Sequence, residues 1–289
     1  MSSLFNESAL NALIESQPES FKQVVRTYVG EAKFFFALLS HDLAQREDVQ
    51  NIVEVGAGIG LLSLLLAEQG YSVVAFEPEA AGFGEMRRIR DFILKSWSGP
   101  LPDVQFVYGY LTESHHDGSC LADFGFAINV IEHVPKTAEF MAICNSAVGV
   151  GREFRFVCPN YIFPYEPHFN FLTLFTKRAT WRLRRRAIEG SELPNPIGMW
   201  TELSWITPRK LTRAAKEYGL TISFSRSAMK AYNNRPLTDA MFIERKGNFG
   251  KVILLPLSRL LSVIVTIVPT FLLPILDVSV QRCDAVERR

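Results

Sequence analysis

The chain is poor in cysteine: four residues, Cys120, Cys144, Cys158 and Cys283, are spread over 289 positions. They form no CxxC pair and no zinc-ligand spacing, so the cysteines suggest neither a disulfide framework nor a structural metal site and point to a reducing compartment. An excess of charge of either sign is also missing. With 31 basic against 30 acidic residues the formal charge is +1, so a global basic surface of the nucleic-acid-binding kind is excluded and any anionic partner must meet a local cluster. The N-terminus, MSSLFNESALNALIESQ, carries Glu7 and Glu15 and lacks a basic stretch followed by an unbroken apolar one, so it does not suit a secretory signal and favours a cytoplasmic start. Internal repeats and low-complexity segments are absent. What is present, 48% hydrophobic and 21% charged residues, suits neither a disordered nor a fibrous chain. Its length suffices for one large α/β domain with additions, or two small domains.

Residues 1–50 predict an N-terminal helical cap. Leu10, Leu13 and Ile14, then Phe21, Val24, Val25 and Tyr28, then Phe34, Phe35, Leu38 and Leu39 recur at helical spacing, giving two or three helices with breaks at Pro18 and Gly30. From Asn51 short apolar runs alternate with helical stretches: IVEV (52–55), SVVAF (72–76), VQFVY (104–108), FAINV (126–130), EFRFVCP (153–159), TISFSRS (221–227) and DAMFIERK (239–246). Strands alternating with helices imply a mostly parallel, doubly wound sheet. The expected domain runs over 51–246, with 161–206 as an aromatic and basic insertion and 247–289 as a hydrophobic tail.

VEVGAGIGLLSLLL places Gly56, Gly58 and Gly60 between a predicted strand and a predicted helix, where small residues permit a tight turn and a close approach to a ligand. The second strand ends on Glu77, about twenty residues on, where an acid can accept hydrogen bonds from both hydroxyls of a ribose. A nucleoside cofactor is expected. The dinucleotide pattern G-x-G-x-x-G would need glycine where Leu61 stands, which disfavours the alternative of a nicotinamide-dependent oxidoreductase. A non-catalytic, membrane-associated protein that keeps a cofactor-binding fold is the other alternative.

The G-x-G-x-G loop with Glu54 before it, EPE at 77–79, Tyr110-Leu111, and DFGFAINVIEHVP at 123–135 together resemble class I S-adenosylmethionine-dependent methyltransferases, in particular the small-molecule and quinone-type group (type 11/23). The resemblance covers about residues 45–246. It implies a Rossmann-like seven-stranded sheet with its last strand antiparallel, and S-adenosylmethionine as cofactor. Under it, Glu54 anchors the methionine amino group, Gly56, Gly58 and Gly60 line the methionine and ribose, and Glu77 holds the ribose hydroxyls. Tyr110 and Leu111 flank the adenine, and Asn129 and Val130 lie beneath the methionine. One departure is that Gly109-Tyr110-Leu111-Thr112 supplies no acid for the adenine amino group, leaving its recognition to backbone or Thr112.

Methyl transfer is an in-line displacement, so the enzyme must align an acceptor and, for a hydroxyl, remove its proton. His133, directly after Glu132 and the fourth strand, is one candidate; a backbone-bonded histidine at a helix start is the alternative. Glu132 and His133 offer two candidate ligands, which do not make a metal site. CPNYIFPYEPHFN (158–170), which resembles a loop of a bacterial subset of these enzymes, supplies Glu166 and His168 as further acid–base or acceptor-orienting candidates; its aromatics could instead serve packing. His41, His115 and His116 are given no chemistry.

FNFLTLFTKRATWRLRRR (169–186) mixes Phe171, Leu174, Phe175 and Trp181 with Lys177, Arg178, Arg182, Arg184, Arg185 and Arg186, which suits an interfacial helix meeting lipid phosphates, with a solvated lid or an RNA contact as alternatives. From Val252 to Leu276 the only charge is Arg259. This run approaches the length of a bilayer span, and Pro256, Pro269 and Pro274 leave an interfacial anchor, a span or a buried helix open. RNA would not explain the run, so membrane lipids through 251–280 and 171–186 are the expected partners and nucleic acid is not. The expectation is a methyltransferase at the cytoplasmic side of a membrane, acting on oxygen ahead of nitrogen or carbon in a small or lipid-linked acceptor.

Overall fold

The computed structural model describes residues 7–78, 84–97, 101–111, 122–174, 176–191, 195–239, 243 and 255–282. Two compact units divide the chain, 1–111 with 121–125, and 112–120 with 126–289.

In the first unit, α1 (Glu7–Glu15) and α2 (Glu19–Leu43) lead into β1 (Asn51–Val55), α3 (Leu61–Glu68), β2 (Ser72–Glu77), α4 (Gly84–Lys95) and β3 (Val104–Tyr108). Pro18 stands just ahead of α2, where its missing donor costs no helical bond. The break expected at Gly30 does not occur. Helix α2 runs 25 residues through it and buries Phe21, Val25, Val29, Ala32, Phe35 and Leu39, and that packed stripe outweighs the roughly 1 kcal/mol an interior glycine costs. β1 pairs in parallel with β2 (Val53↔Val74), and β2 with β3 (Ala75↔Phe106). Helix α3 buries every residue from Leu61 to Ala67, as expected of a helix covered on all sides.

Strand β4 (Ala122–Ile128) begins in the first unit and ends in the second. The second unit continues with a 3-10 turn (Ile131–His133), α5 (Thr137–Ala147), β5 (Val148–Pro159), a hairpin of β6 (Tyr165–Glu166) and β7 (Phe171–Leu172), and α6 (Lys177–Glu189). It ends with α7 (Pro196–Glu202), α8 (Pro208–Glu217), β8 (Leu220–Ser225), α9 (Ser227–Thr238), α10 (Leu255–Ile267) and β9 (Ile275–Arg282). The order in the seven-stranded sheet is β3-β2-β1-β4-β5-β9-β8. β9 is antiparallel to both its neighbours (Phe156↔Val278, Phe224↔Val278), which bears out the Rossmann-like sheet with an antiparallel last strand.

That last strand is not where the sequence puts it. Of the segment 239–246, Asp239 caps α9 and Ile243 is helical, while the rest lies outside the described residues. The final strand comes instead from the hydrophobic tail, whose residues 275–282 enter the sheet between β5 and β8. Leu276, Asp277, Val278 and Val280 are all buried. Ile275 and Leu276 close the apolar run of the tail, and Asp277, Ser279 and Gln281 alternate with Val278 and Val280 only after it, so the strand starts inside the stretch that resembles a membrane segment. The remainder of the tail forms the 13-residue α10 and a 3-10 turn after Pro269. Among the described residues no helix is long and apolar enough to cross a membrane.

An ion pair holds β9 in place. Asp277 accepts two hydrogen bonds from the Arg155 guanidinium, each 2.8 Å, and a third from the Ala228 amide at 2.9 Å. With side-chain exposures of 6% and 1%, the pair is bidentate and dry.

Candidate active site

In the first unit the site is built around the glycine loop. Gly56, Gly58 and Gly60 have φ of 79°, 55° and 77°, a left-handed conformation that side chains resist. A Cβ on Gly60 would stand 2.5 Å from the Phe106 ring, so glycine is needed there for space as well. The loop is tied to the end of β2: the Gly58 amide donates to the Glu77 carboxylate at 2.7 Å, and the Gly58 carbonyl accepts from Arg90 at 3.2 Å. Burial raises the Glu77 pKa, while the Gly58 amide and Arg90 act against that shift. Glu54, on β1, accepts a hydrogen bond from the Ser63 hydroxyl. Burial pushes it up to about 8 despite that bond, so a cationic ligand group would find a carboxyl poised to give up its proton. Leu111 is buried, whereas Tyr110 is 61% exposed. Thr112, His115 and His116 lie outside the described residues.

Two residues of this region escaped the sequence reading. Arg90 is 1% exposed, rests on the rings of Phe106 and Tyr108 at 4.8 and 4.9 Å, and has no hydrogen-bond partner at Nε or Nη2. Its signal was an arginine on α4 beside the inward-facing Ile89. Tyr28, from α2, comes within 3.0 Å of the position a Gly58 Cβ would take, and burial, then the Glu77 charge, push its phenol up to about 12.

In the second unit the candidate residues lie after β4 and in the hairpin that follows β5. Asn129 takes a left-handed φ of 54° and donates its amide to the Val157 carbonyl at 2.8 Å. Val130 leads the turn, and the His133 amide closes back onto its carbonyl at 2.9 Å. The turn buries Glu132 completely, with neither carboxylate oxygen hydrogen-bonded. The hairpin β6–β7 brings Glu166 and His168 to the same place. Glu166, fully buried, accepts from His168 Nδ1 at 2.6 Å, from the Phe169 amide at 2.7 Å and from the Tyr161 hydroxyl at 3.2 Å. Tyr161 in turn stacks on Trp205 at 5.2 Å. The rings of His133 and His168 meet edge to face at 5.2 Å.

The charges here are set by burial and by one another. Burial, helped by the neighbouring His168, lowers His133 to about 4. For His168 burial works against the charge, but the hydrogen bond and charge of Glu166, with Glu132, outweigh it and raise the pKa above the usual imidazole value. Burial lifts Glu132 to about 7, with the His168 charge opposing. The structure thus joins all three sequence-chosen acid–base candidates, His133, Glu166 and His168, and adds Glu132, which the sequence flagged only as half of a pair.

The basic segment is the well-capped helix α6, whose Thr176 hydroxyl accepts from the Ala179 amide at 3.1 Å. Its expected lipid-facing aromatics are engaged within the unit instead: Trp181 stacks on Trp200 at 6.1 Å, and Phe171 lies 5.7 Å from Phe169. Leu172 and Leu183 are exposed, each at 63%, and Phe175 lies outside the described residues.

A family model described as a methyltransferase domain matches residues 30–223. The chain belongs to this methyltransferase family. The expectation of a class I S-adenosylmethionine-dependent methyltransferase therefore holds. Two uncharacterized proteins from two strains of Mycobacterium tuberculosis are 35% identical to this methyltransferase over 257 residues, covering 88% of this chain and 86% of each of theirs. Among solved structures, a cyclopropane-fatty-acyl-phospholipid synthase-like protein of Lactobacillus casei aligns over 95% of this chain and 99% of its own, with a TM-score of 0.50 at 13% identity. The phosphoethanolamine N-methyltransferase 2 of Haemonchus contortus, in complex with S-adenosylhomocysteine, aligns over 82% of this chain with a TM-score of 0.46 at 11% identity. This methyltransferase spans 49% of that protein's length.

Proposed function

We propose that the enzyme transfers a methyl group from S-adenosylmethionine to an oxygen of a small or lipid-linked acceptor at a membrane surface. The observation that carries the cofactor half is the bond from the Gly58 amide to Glu77, which makes the glycine loop and the ribose-binding acid one assembly. Gly56, Gly58 and Gly60 let the backbone approach the cofactor, Glu77 receives the ribose hydroxyls, and Glu54 meets the methionine ammonium. Tyr110 and Leu111 border the adenine, and Asn129 and Val130 support the methionine at the carboxyl end of β4, where ligands of open α/β sheets bind. Leu61, buried at the first position of α3, keeps the dinucleotide pattern from forming.

The acceptor half rests on the Glu166–His168 pair. Glu166 holds a proton on His168 Nδ1, which leaves Nε2 to accept one, and the raised basicity of this ring suits a general base. His133, kept neutral at working pH by burial, orients the acceptor rather than taking its proton. Membrane-surface action rests on exposed apolar residues at the end of α10 and the turn after it: Val263, Ile264, Ile267, Phe271 and Leu272, with Ile267 at 73%. Exposed apolar residues gathered in one stretch mark interaction sites, and the arginines of α6 add an attraction to anionic headgroups. Membranes from cells carrying the protein, incubated with methyl-labelled cofactor, should yield one labelled, extractable product, sensitive to cleavage of an O-methyl bond. Label on nitrogen or carbon would overturn the oxygen assignment, and a product formed equally well without membranes would overturn the surface assignment.

A further inference from the structure

Glu132, His133 and His168 converge at the turn after β4. One donor atom from each lies within 4.8 Å of the others. Glu132 is 0% exposed and both its oxygens lack a hydrogen-bond partner; a buried carboxyl so placed costs free energy until something satisfies it. Among the described residues the charges that act on it are those of His168 and Glu166. Glu166 does not compete for the vacant role, since it is already engaged by His168, Phe169 and Tyr161.

The arrangement around His168 is the one that metal-binding histidines use. Its Nδ1 is bonded to a buried carboxylate at 2.6 Å, which fixes the tautomer and leaves the Nε2 lone pair for a ligand. We infer that Glu132, His133 and His168 form a binding site for one divalent transition-metal ion, with Glu166 as the outer carboxylate that orients His168. Two imidazoles and one carboxylate are borderline donors, suited to zinc, iron(II), cobalt or manganese rather than to calcium. Donors about 2.1 Å from a tetrahedral ion lie about 3.4 Å apart, so loading draws in any pair of the three that stands wider than that within the 4.8 Å limit. Three protein donors leave a coordination position open, and an acceptor oxygen is the chemical class that fits it. An ion there occupies the lone pair that His168 otherwise offers to a proton, so metal loading and base catalysis by His168 are alternative states of one cluster. The site goes beyond the methyl-transfer reading and stands or falls separately from it.

The test is calorimetric titration of chelator-stripped, full-length protein with zinc chloride, repeated with cobalt(II) chloride while its visible absorption is followed. One ion per chain is expected, with cobalt bands appearing in step. Glu132→Gln and His168→Asn should each weaken binding by at least about tenfold and abolish the bands, and Glu166→Gln should weaken it by roughly tenfold, as loss of an orienting carboxylate does. S-adenosylhomocysteine binding, which uses other residues, confirms that each variant is folded. Should Glu132→Gln fail to fold, His168→Asn decides alone, because its ring is partly exposed and its loss leaves no bare buried carboxylate without the Tyr161 and Phe169 donors. Absence of stoichiometric binding by the wild-type protein would overturn the site, as would an ion held equally well by His168→Asn.

Discussion

Removing the carboxylate of Asp277 asks whether the hydrophobic tail is part of the fold. In Asp277→Ala the Arg155 guanidinium keeps its burial and loses both of its 2.8 Å bonds, and the Ala228 amide loses its acceptor. Removing one partner of a buried ion pair costs about 3–5 kcal/mol, and an orphaned amide about 1 kcal/mol. The expected loss is thus about 4–6 kcal/mol, a third or more of the stability of an ordinary protein. Asp277→Asn keeps the shape and one acceptor, so its loss should be smaller but still well above 1 kcal/mol. Urea unfolding followed by circular dichroism and tryptophan fluorescence measures both, and the loss should change little between low and high salt because a dry pair is poorly screened. If both variants unfold within 1 kcal/mol of wild type, β9 does not lie between β5 and β8, and the run 251–280 returns to being a membrane segment.

Two further outcomes concern the site. Glu54 is held protonated by burial with a pKa near 8, and a bound ammonium favours its charged form; affinity for S-adenosylhomocysteine should therefore rise with pH, by up to about tenfold per unit, from pH 6 to near 8 and then level off. A flat profile in the wild type, or one unchanged in Glu54→Gln, would remove Glu54 from the ammonium contact. For the acceptor, His168→Ala should lower turnover at least about a hundredfold with cofactor affinity near normal, and His133→Ala should act mainly on the acceptor KM; full activity of His168→Ala would leave alignment as the whole mechanism.

The parts of the molecule written locally were legible in the sequence. Left-handed glycines need no partner to declare themselves, so the loop at 56–60 and the acid at 77 emerged from spacing and now form one hydrogen-bonded assembly. Strands β1 to β3 fell within a residue of their apolar runs. Two kinds of information were not local. The role of Glu132 depends on the fold bringing His168 to a turn far away in the chain, and neither residue alone signals the meeting. Strand β9 owes its place to pairing with β5 and β8, and its first residues continue the apolar run of the tail, which masked the short alternation from Asp277 to Gln281, so 239–246 drew the assignment instead. Asp277 was the available clue: a lone acid in an apolar run fits a buried ion pair better than a bilayer.

Calorimetry of the full-length protein with S-adenosylhomocysteine, with S-adenosylmethionine and with NAD tests the central claim most directly. One adenosyl ligand should bind per chain, and Glu77→Ala, which removes the proposed ribose acceptor together with the Gly58 contact at 2.7 Å, should weaken that binding by about ten- to a hundredfold, equivalent to 1.4–2.7 kcal/mol. Tight binding of NAD with no response to either adenosyl ligand would contradict the account.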